Sequence, residues 1–227
     1  LRIARGSEVE RIRWGEGWVE AHARDRSARG RRAVIALPLA SLQEGRPRIE
    51  PDPGRSADLA KMEAGDVCKI VLRFRRASFL DRLSPACFVH AEASLFPTWW
   101  CAWPEPAPLL VAWAGGSAAA RLRERARAER DEAAIREAAT LLGVREERVR
   151  GELVAAYHHD WSADPLSRGA YSWHRVGGLE AQRRASRPIA GTLFFAGEWT
   201  DPDDVGTVAA ALSSGTAVAE DVCATLR

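Results

Sequence analysis

The chain has 227 residues, enough for one large domain or parts of two. With 46% hydrophobic residues, 28% charged residues and a net charge of +2, its composition is that of an ordinary soluble globular protein, with no strong electrostatic pull toward nucleic acid or a membrane surface. Cys68, Cys87, Cys101 and Cys223 form no CxxC pair and no metal-ligand spacing, which predicts reduced thiols, no metal centre and a cytoplasmic setting; no signal peptide or membrane span is visible.

The basic residues are almost all arginine. The only lysines are Lys61 and Lys69, so each deserves scrutiny, and nine tryptophans are available for flat ligands or for core packing. The first residue is Leu1, and the opening stretch already reads as strands from the middle of a domain. Residues 7–14 read as extended, with Val9, Ile12 and Trp14 at apolar positions. Gly15-Glu16-Gly17 predicts a hairpin turn, and residues 18–23 return with Val19, Ala21 and Ala23 on one face. A second turn at Arg29-Gly30-Arg31 leads to a buried strand over 33–37, ended by Pro38. Residues 46–53 are proline-rich and extended, and 55–63 predict a short helix capped by Ser56.

Residues 65–74, GDVCKIVLRF, predict a strand with Cys68, Ile70, Leu72 and Phe74 on one face and Val67, Lys69, Val71 and Arg73 on the other. Burying an ammonium among valines is costly, so Lys69 is paired, snorkelling or held for chemistry. Residues 86–113 predict three strands, in which Trp99, Trp100 and Trp103 serve equally as an aromatic lining or as core. Residues 117–142 predict two helices broken near Ala128 and ended by Gly143, with Arg/Glu pairs forming a solvated face. A turn of helix over 146–150 and a strand over 153–157 follow. His158 and His159 are adjacent, so in a strand they point to opposite faces and do not share an ion. Residues 177–188 read as a polar, arginine-rich surface loop.

The chain is organised around residues 192–219, TLFFAGEWTDPDDVGTVAAALSSGTAVA. The apolar run Leu193-Phe194-Phe195-Ala196 predicts a buried strand, Gly197 to Thr200 a turn, and the stretch from Val205 to Val222 a helix rich in small residues. Strand, glycine turn and helix is a geometry that aims backbone N–H groups and a positive dipole end at an anion, and equally one that any buried αβ unit adopts.

Two segments, DPLSRGAYS and FFAGEWT followed by GTVAAALSSG, resemble the flavin-containing amine oxidases, the family of monoamine and polyamine oxidases. The resemblance implies the C-terminal part of a two-domain fold of mixed α+β and α/β character. Residues 1–45 would belong to the FAD domain and 46–152 to a substrate domain with a mixed sheet and helices. Residues 153–227 would return to the FAD domain with its closing strand and helix. It implies an FAD cofactor contacted by Val9, Trp161, Gly197, Glu198, Gly206, Thr207 and Val208. Gly65, Val67 and Lys69 match a G-x-V-x-K pattern whose lysine holds a water against the flavin, and Tyr171 matches an aromatic ring before the flavin face. Ala170 stands where monoamine oxidases carry a flavin-bonded cysteine, so the FAD is expected to be non-covalent. Thr207 falls where their second cage tyrosine lies, which counts against a simple arylalkylamine. The implied partners are a small-molecule amine, molecular oxygen and a missing N-terminal half, since no G-x-G-x-x-G appears; nucleic acid and membrane are not expected. The implied reaction is oxidation of an amine C–N bond to an imine, with oxygen reduced to hydrogen peroxide. The rival readings are a flavin oxidoreductase acting on C–C bonds and a flavin-free, non-catalytic subunit.

Overall fold

In the computed structural model, residues 3–226 are described, and they form two compact units. The first combines Leu1–Gly65 with Asp164–Arg227; the second is Asp66–Ala163.

The first unit opens with β1 (Val9–Gly15) and β2 (Trp18–Ala23), an antiparallel hairpin whose turn residue Gly17 sits at φ +78°. Next come β3 (Ser27–Gly30), β4 (Ala33–Ile35), α1 (Leu39–Gln43), β5 (Arg48–Glu50), α2 (Ser56–Leu59) and β6 (Met62–Ala64). The sheet order is β3-β2-β1-β5, with β5 parallel to β1. Because β5 is held by β1, the stretch after residue 45 stays in this unit, and the chain leaves it only after Gly65. Arg55, not Ser56, is the N-cap of α2, and it makes no side-chain cap bond. The predicted 55–63 helix shortens to one turn because Met62 to Ala64 pair as a strand.

The second unit carries β7 (Val67–Phe74), a 3-10 stretch Ala77–Leu83, β8 (Phe88–His90), β9 (Thr98–Cys101) and β10 (Leu109–Gly115). Three helices follow: α3 (Gly116–Arg123), α4 (Arg127–Leu142) and α5 (Glu146–Glu152). β11 (Leu153–Tyr157) closes the unit by pairing antiparallel with β7. The sheet order is β11-β7-β10-β9-β8, so β11 does not lead out of this unit as the sequence implied. One sheet face and the helices enclose a core of Ile70, Leu72, Phe74, Phe96, Trp99, Leu110, Leu122, Ala134, Ala138 and Val149. The helix break falls before Arg127, where the Glu129 side chain accepts the Ala126 N–H at 2.9 Å. Gly143 ends α4 in the left-handed region, at φ +62°.

Back in the first unit, β12 (Ser172–His174) pairs with β6 and is followed by α6 (Gly178–Ala185), so the expected surface loop is mostly helix. Its arginines are exposed, but Ala181, Gln182 and Ala185 are buried at helical spacing. β13 (Leu193–Phe195) runs parallel to β4; a 3-10 turn Glu198–Thr200 and α7 (Val208–Thr225) end the chain. Among the described residues no helix is long and apolar enough to cross a membrane.

Candidate functional site

Two clefts in the first unit share the wall Ala36-Leu37-Pro38, the stretch just beyond β4. One, of about 440 Å³, is lined by Ser167, Gly169, Ala170, Tyr171, Gly197, Glu198, Trp199, Gly206, Thr207, Val208 and Ala211. The other, of about 880 Å³, is lined by Val9, Ile12, Ala33, Ser41, Arg46 and Arg168 among others. All the sequence-predicted site residues of this unit therefore border one cleft or the other: Val9 the larger, the rest the smaller.

The local path follows from the residues. Beyond β13 the backbone turns at Gly197, φ +139°, a conformation that side-chain-bearing residues rarely adopt. Four bonds fix the turn. The Gly197 N–H donates to the Ser214 hydroxyl at 3.0 Å, and the buried Trp199 indole N–H donates to the Leu37 carbonyl at 3.0 Å. Gln182 of α6 donates to the carbonyls of Trp199 and Asp201 at 2.7 and 2.8 Å. Asp201 then orders the next loop by accepting the N–H groups of Asp203 and Asp204 and the Ser213 hydroxyl. Those three donors hold its carboxyl below the usual carboxylate range. Thr207 is the N-cap of α7, its hydroxyl accepting the Ala210 N–H at 3.0 Å. The helix therefore begins at Val208, later than the sequence predicted, because Thr207 is held extended as the cap.

Tyr171 forms another wall. The Gly65 N–H donates to the Tyr171 carbonyl at 2.9 Å, and the Ala170 N–H donates to the Gly65 carbonyl at 2.7 Å. A Cβ on Gly65 would lie 3.0 Å from the Tyr171 carbonyl oxygen, so glycine permits this approach. The phenol is 45% exposed, and burial of the remainder pushes its pKa up, so at neutral pH it is a protonated donor. Ser172, the next residue, donates its hydroxyl to Glu198 at 2.6 Å and its N–H to the same oxygen at 3.3 Å.

These walls fit a flavin. A flat ring finds apolar, small-residue surfaces at Ala36, Ala170, Gly206 and Ala211. The first turn of α7 carries N–H groups that no helix can satisfy internally, together with the positive end of an 18-residue dipole. An electron-rich ring edge suits that end. Ala170 borders the same cleft and offers no sulfur for a covalent bond.

Lys69 and Trp161 belong to the second unit. Lys69 is exposed on the face of β7 turned away from the core, directly across from Trp113 of β10, and has no ion-pair partner among the described residues. Trp161 is half-exposed and packs edge-on against His159, ring centroids 4.4 Å apart. Trp99 and Trp100 point to opposite faces: Trp99 is 1% exposed within the core, and Trp100 lies on the open face. Among the described residues no group of three or more His, Cys, Asp or Glu is placed to hold a metal.

Sequence reasoning missed Ser172, Gln182 and Ser214, which touch the site segments through hydrogen bonds. Ser172 is the last residue of the segment DPLSRGAYS, whereas Gln182 lies in a segment that reads as loop. Ser214 is one of the small residues of the last helix, with no signal of its own.

Three comparisons with known proteins agree. Residues 1–223 match the model of the flavin containing amine oxidoreductases. The chain is 28% identical over 197 residues to lysine-specific histone demethylase 1 homolog 3 of Arabidopsis thaliana, covering 82% of this chain and 12% of that protein. It is 27% identical to human lysine-specific histone demethylase 2, covering 85% and 24%. Among solved structures, putrescine oxidase bound to putrescine superposes with a TM-score of 0.82 at 21% identity, covering 95% of this chain and 48% of that one. Cyclohexylamine oxidase from Brevibacterium oxydans IH-35A superposes with a TM-score of 0.80 at 22% identity, covering 96% and 48%. The chain thus spans about half the length of these solved relatives and a smaller share of the curated ones.

Proposed function

Because the chain belongs to the flavin containing amine oxidoreductase family, we propose that it is the C-terminal portion of an FAD-dependent amine oxidase that acts on a small-molecule amine. The observation that carries this reading is the single cleft that gathers Tyr171, Glu198, Gly206 and the amino end of α7. When bound, FAD would supply two-electron redox chemistry, accepting a hydride from the carbon next to the amine nitrogen so that an imine could form and hydrolyse, with oxygen as the final electron acceptor and hydrogen peroxide as the second product.

In this reading the chain's residues bind and position. Val9 and the 33–38 stretch border the larger cleft, where the nucleotide end would lie. Gly197 and Glu198 would hold the middle of the cofactor, and Thr207 and Val208 would offer the positive end of α7 to the ring edge. The protonated Tyr171 hydroxyl is a donor that orients the substrate nitrogen. Trp161 would pack beside the ring, and Lys69 would hold a water at it, as the family resemblance implies. With alanine at position 170, the FAD is non-covalent. A dinucleotide-binding half without which the phosphates have no cradle is the required partner, and the free cysteines fit a cytoplasmic setting.

The whole protein tests this directly. It should be yellow, release all its flavin on acid precipitation, bleach with an amine under anaerobic conditions, and yield peroxide in air. Lys69→Met should slow flavin reduction or reoxidation while flavin stays bound. Purified protein without flavin absorbance would overturn the proposal, and equal rates in both half-reactions would remove Lys69 from it.

A further inference from the structure

Two cysteines of the second unit face each other across its outermost pair of strands. β8 is an edge of the five-stranded sheet, held only by β9. Phe88 pairs with Trp100 and His90 with Thr98, so the register carried one residue outward sets Cys87 opposite Cys101. The Cys101 N–H donates to the Cys87 carbonyl at 3.1 Å, which fixes that pairing. Directly opposed residues share a sheet face, here the one that also carries Trp99 and Val89. The Cys101 thiol reaches toward the β8 side, donating to the Ala86 carbonyl at 3.7 Å. Both thiols are free and partly buried. Cys101 also borders a cleft of about 350 Å³, with Ser84 and Trp103 on its walls, which admits a small polar reagent. Opposed residues in a hydrogen-bonded antiparallel pair have Cα atoms about 5.5 Å apart, inside the roughly 4.4–6.8 Å that a disulfide spans. Their Cβ atoms must close by about 1 Å. Cys87 immediately precedes β8, so only one neighbouring strand resists that shift.

We propose that Cys87 and Cys101 are a reversible redox pair, closed to a disulfide by hydrogen peroxide and opened again by a small thiol. The Cys101 thiolate, at the cleft, attacks one peroxide oxygen. The O–O bond breaks, Cys101 becomes a sulfenic acid, and the departing hydroxide takes up a proton to leave as water. The Cys87 thiolate then attacks the oxidised sulfur. The S–S bond forms, the S–O bond breaks, and a second water leaves. In sum two thiols lose two electrons and two protons, and one peroxide becomes two waters. Two molecules of a thiol such as glutathione reverse the change by exchange, ending as their own disulfide. The shift needed for closure leaves the bond strained, and strained disulfides are the readily reduced ones. The pair does not depend on the flavin reading, which would add only a local source of peroxide.

The test treats the whole protein with dilute hydrogen peroxide, alkylates the remaining thiols, digests with trypsin and weighs the peptides. No lysine or arginine lies between Arg82 and Arg121, so both cysteines fall in one peptide. That peptide should emerge two hydrogens lighter and unalkylated, and dithiothreitol should restore both alkylation sites. The exposed Cys223, in another peptide, is the control for general oxidation. In Cys87→Ser the sulfenic acid should persist on Cys101 and be trapped by dimedone, whereas in Cys101→Ser the trap should find little on Cys87. Cys87 and Cys101 both still alkylated while Cys223 is oxidised would overturn the proposal. So would a peptide that gains oxygen atoms instead of losing hydrogens, or a link from either cysteine to a second molecule.

Discussion

Replacing Gly206 by alanine isolates what the cleft demands of one residue. Gly206 has φ +82°, and an added Cβ would lie 3.3 Å from both the Ser172 carbonyl oxygen and the Tyr171 Cβ. Neither neighbour is the loose end of a side chain, so the backbone or the Tyr171 ring must move. Gly17 supplies the control, since its φ is +78° and nothing lies within 4 Å of its missing Cβ. Both substitutions pay a similar left-handed strain, about 1–2 kcal/mol, and gain similarly from a stiffer unfolded chain, about 0.4–1 kcal/mol. Crowding falls on Gly206→Ala alone, at about 1–3 kcal/mol on the scale of overpacked sites. The difference between the two variants should therefore be about 1–3 kcal/mol, read as a lower urea midpoint at unchanged slope. Flavin affinity should fall about tenfold or more in Gly206→Ala, since about 1.4 kcal/mol per tenfold applies to any strain relieved by displacing Tyr171. Gly17 borders neither cleft, so Gly17→Ala should bind flavin as the parent does. Equal midpoints and equal flavin affinities in the two variants would refute the argument that Gly206 is there for the close approach of Tyr171.

Two further outcomes follow from the bonds around the 197–204 turn. Gln182→Met keeps the side-chain volume in α6 but removes the donor to the Trp199 and Asp201 carbonyls. It should cost about 1–3 kcal/mol, less than two lost bonds, because the amide oxygen of Gln182 is itself buried without a partner; thermal unfolding measures it. Asp201 has a depressed pKa in the folded state, so its contribution is fully present above the ordinary aspartate range, about 3.9, and disappears as pH falls through the lower folded value. Asp201→Asn should accordingly weaken flavin binding at pH 7, and the gap to the parent should close under acid titration.

Much of this arrangement was legible because its signals are local. Alternation in GDVCKIVLRF separated the core face of β7 from the Lys69 face, and Gly143 marked the end of α4. Two motif segments gave the cleft residues. What escaped was decided by pairing across long separations. The strand over 153–157 looked like a route home, but its register with Phe74 and Val71 keeps it in the second unit. The span after residue 45 looked like a crossing, but β5 and β6 find their partners in β1 and β12. Neither pairing leaves a trace in composition. Arginine abundance also disguised α6, whose buried stripe of Ala181, Gln182 and Ala185 is short and contains a glutamine. The two adjacent tryptophans of β9 fell to opposite faces by the two-residue period of a strand, so only Trp100 remains for a ligand.

The two motif segments meet at one point, and that contact carries a consequence of its own. Ser172 of GAYS donates both its hydroxyl and its N–H to the same oxygen of Glu198 in GEWT. Ser172 is 3% exposed and Glu198 only half-buried, so the bond belongs to the wall of the cleft rather than to the core. A hydrogen bond to an acidic side chain is worth about 1.5–3 kcal/mol when buried, and partial solvent access reduces this to about 1–2 kcal/mol. Ser172→Ala should lose that amount and leave the N–H contact in place; Glu198→Gln keeps an oxygen acceptor and should lose less. In a double-mutant cycle the pair should couple by about 1 kcal/mol in stability, as touching residues do. The same cycle on flavin affinity should couple with the same sign, because a Glu198 side chain released from Ser172 is free to leave the cleft wall. Additive effects on both measurements would mean that the two segments are neighbours without being joined, and that Glu198 is positioned by its own turn alone.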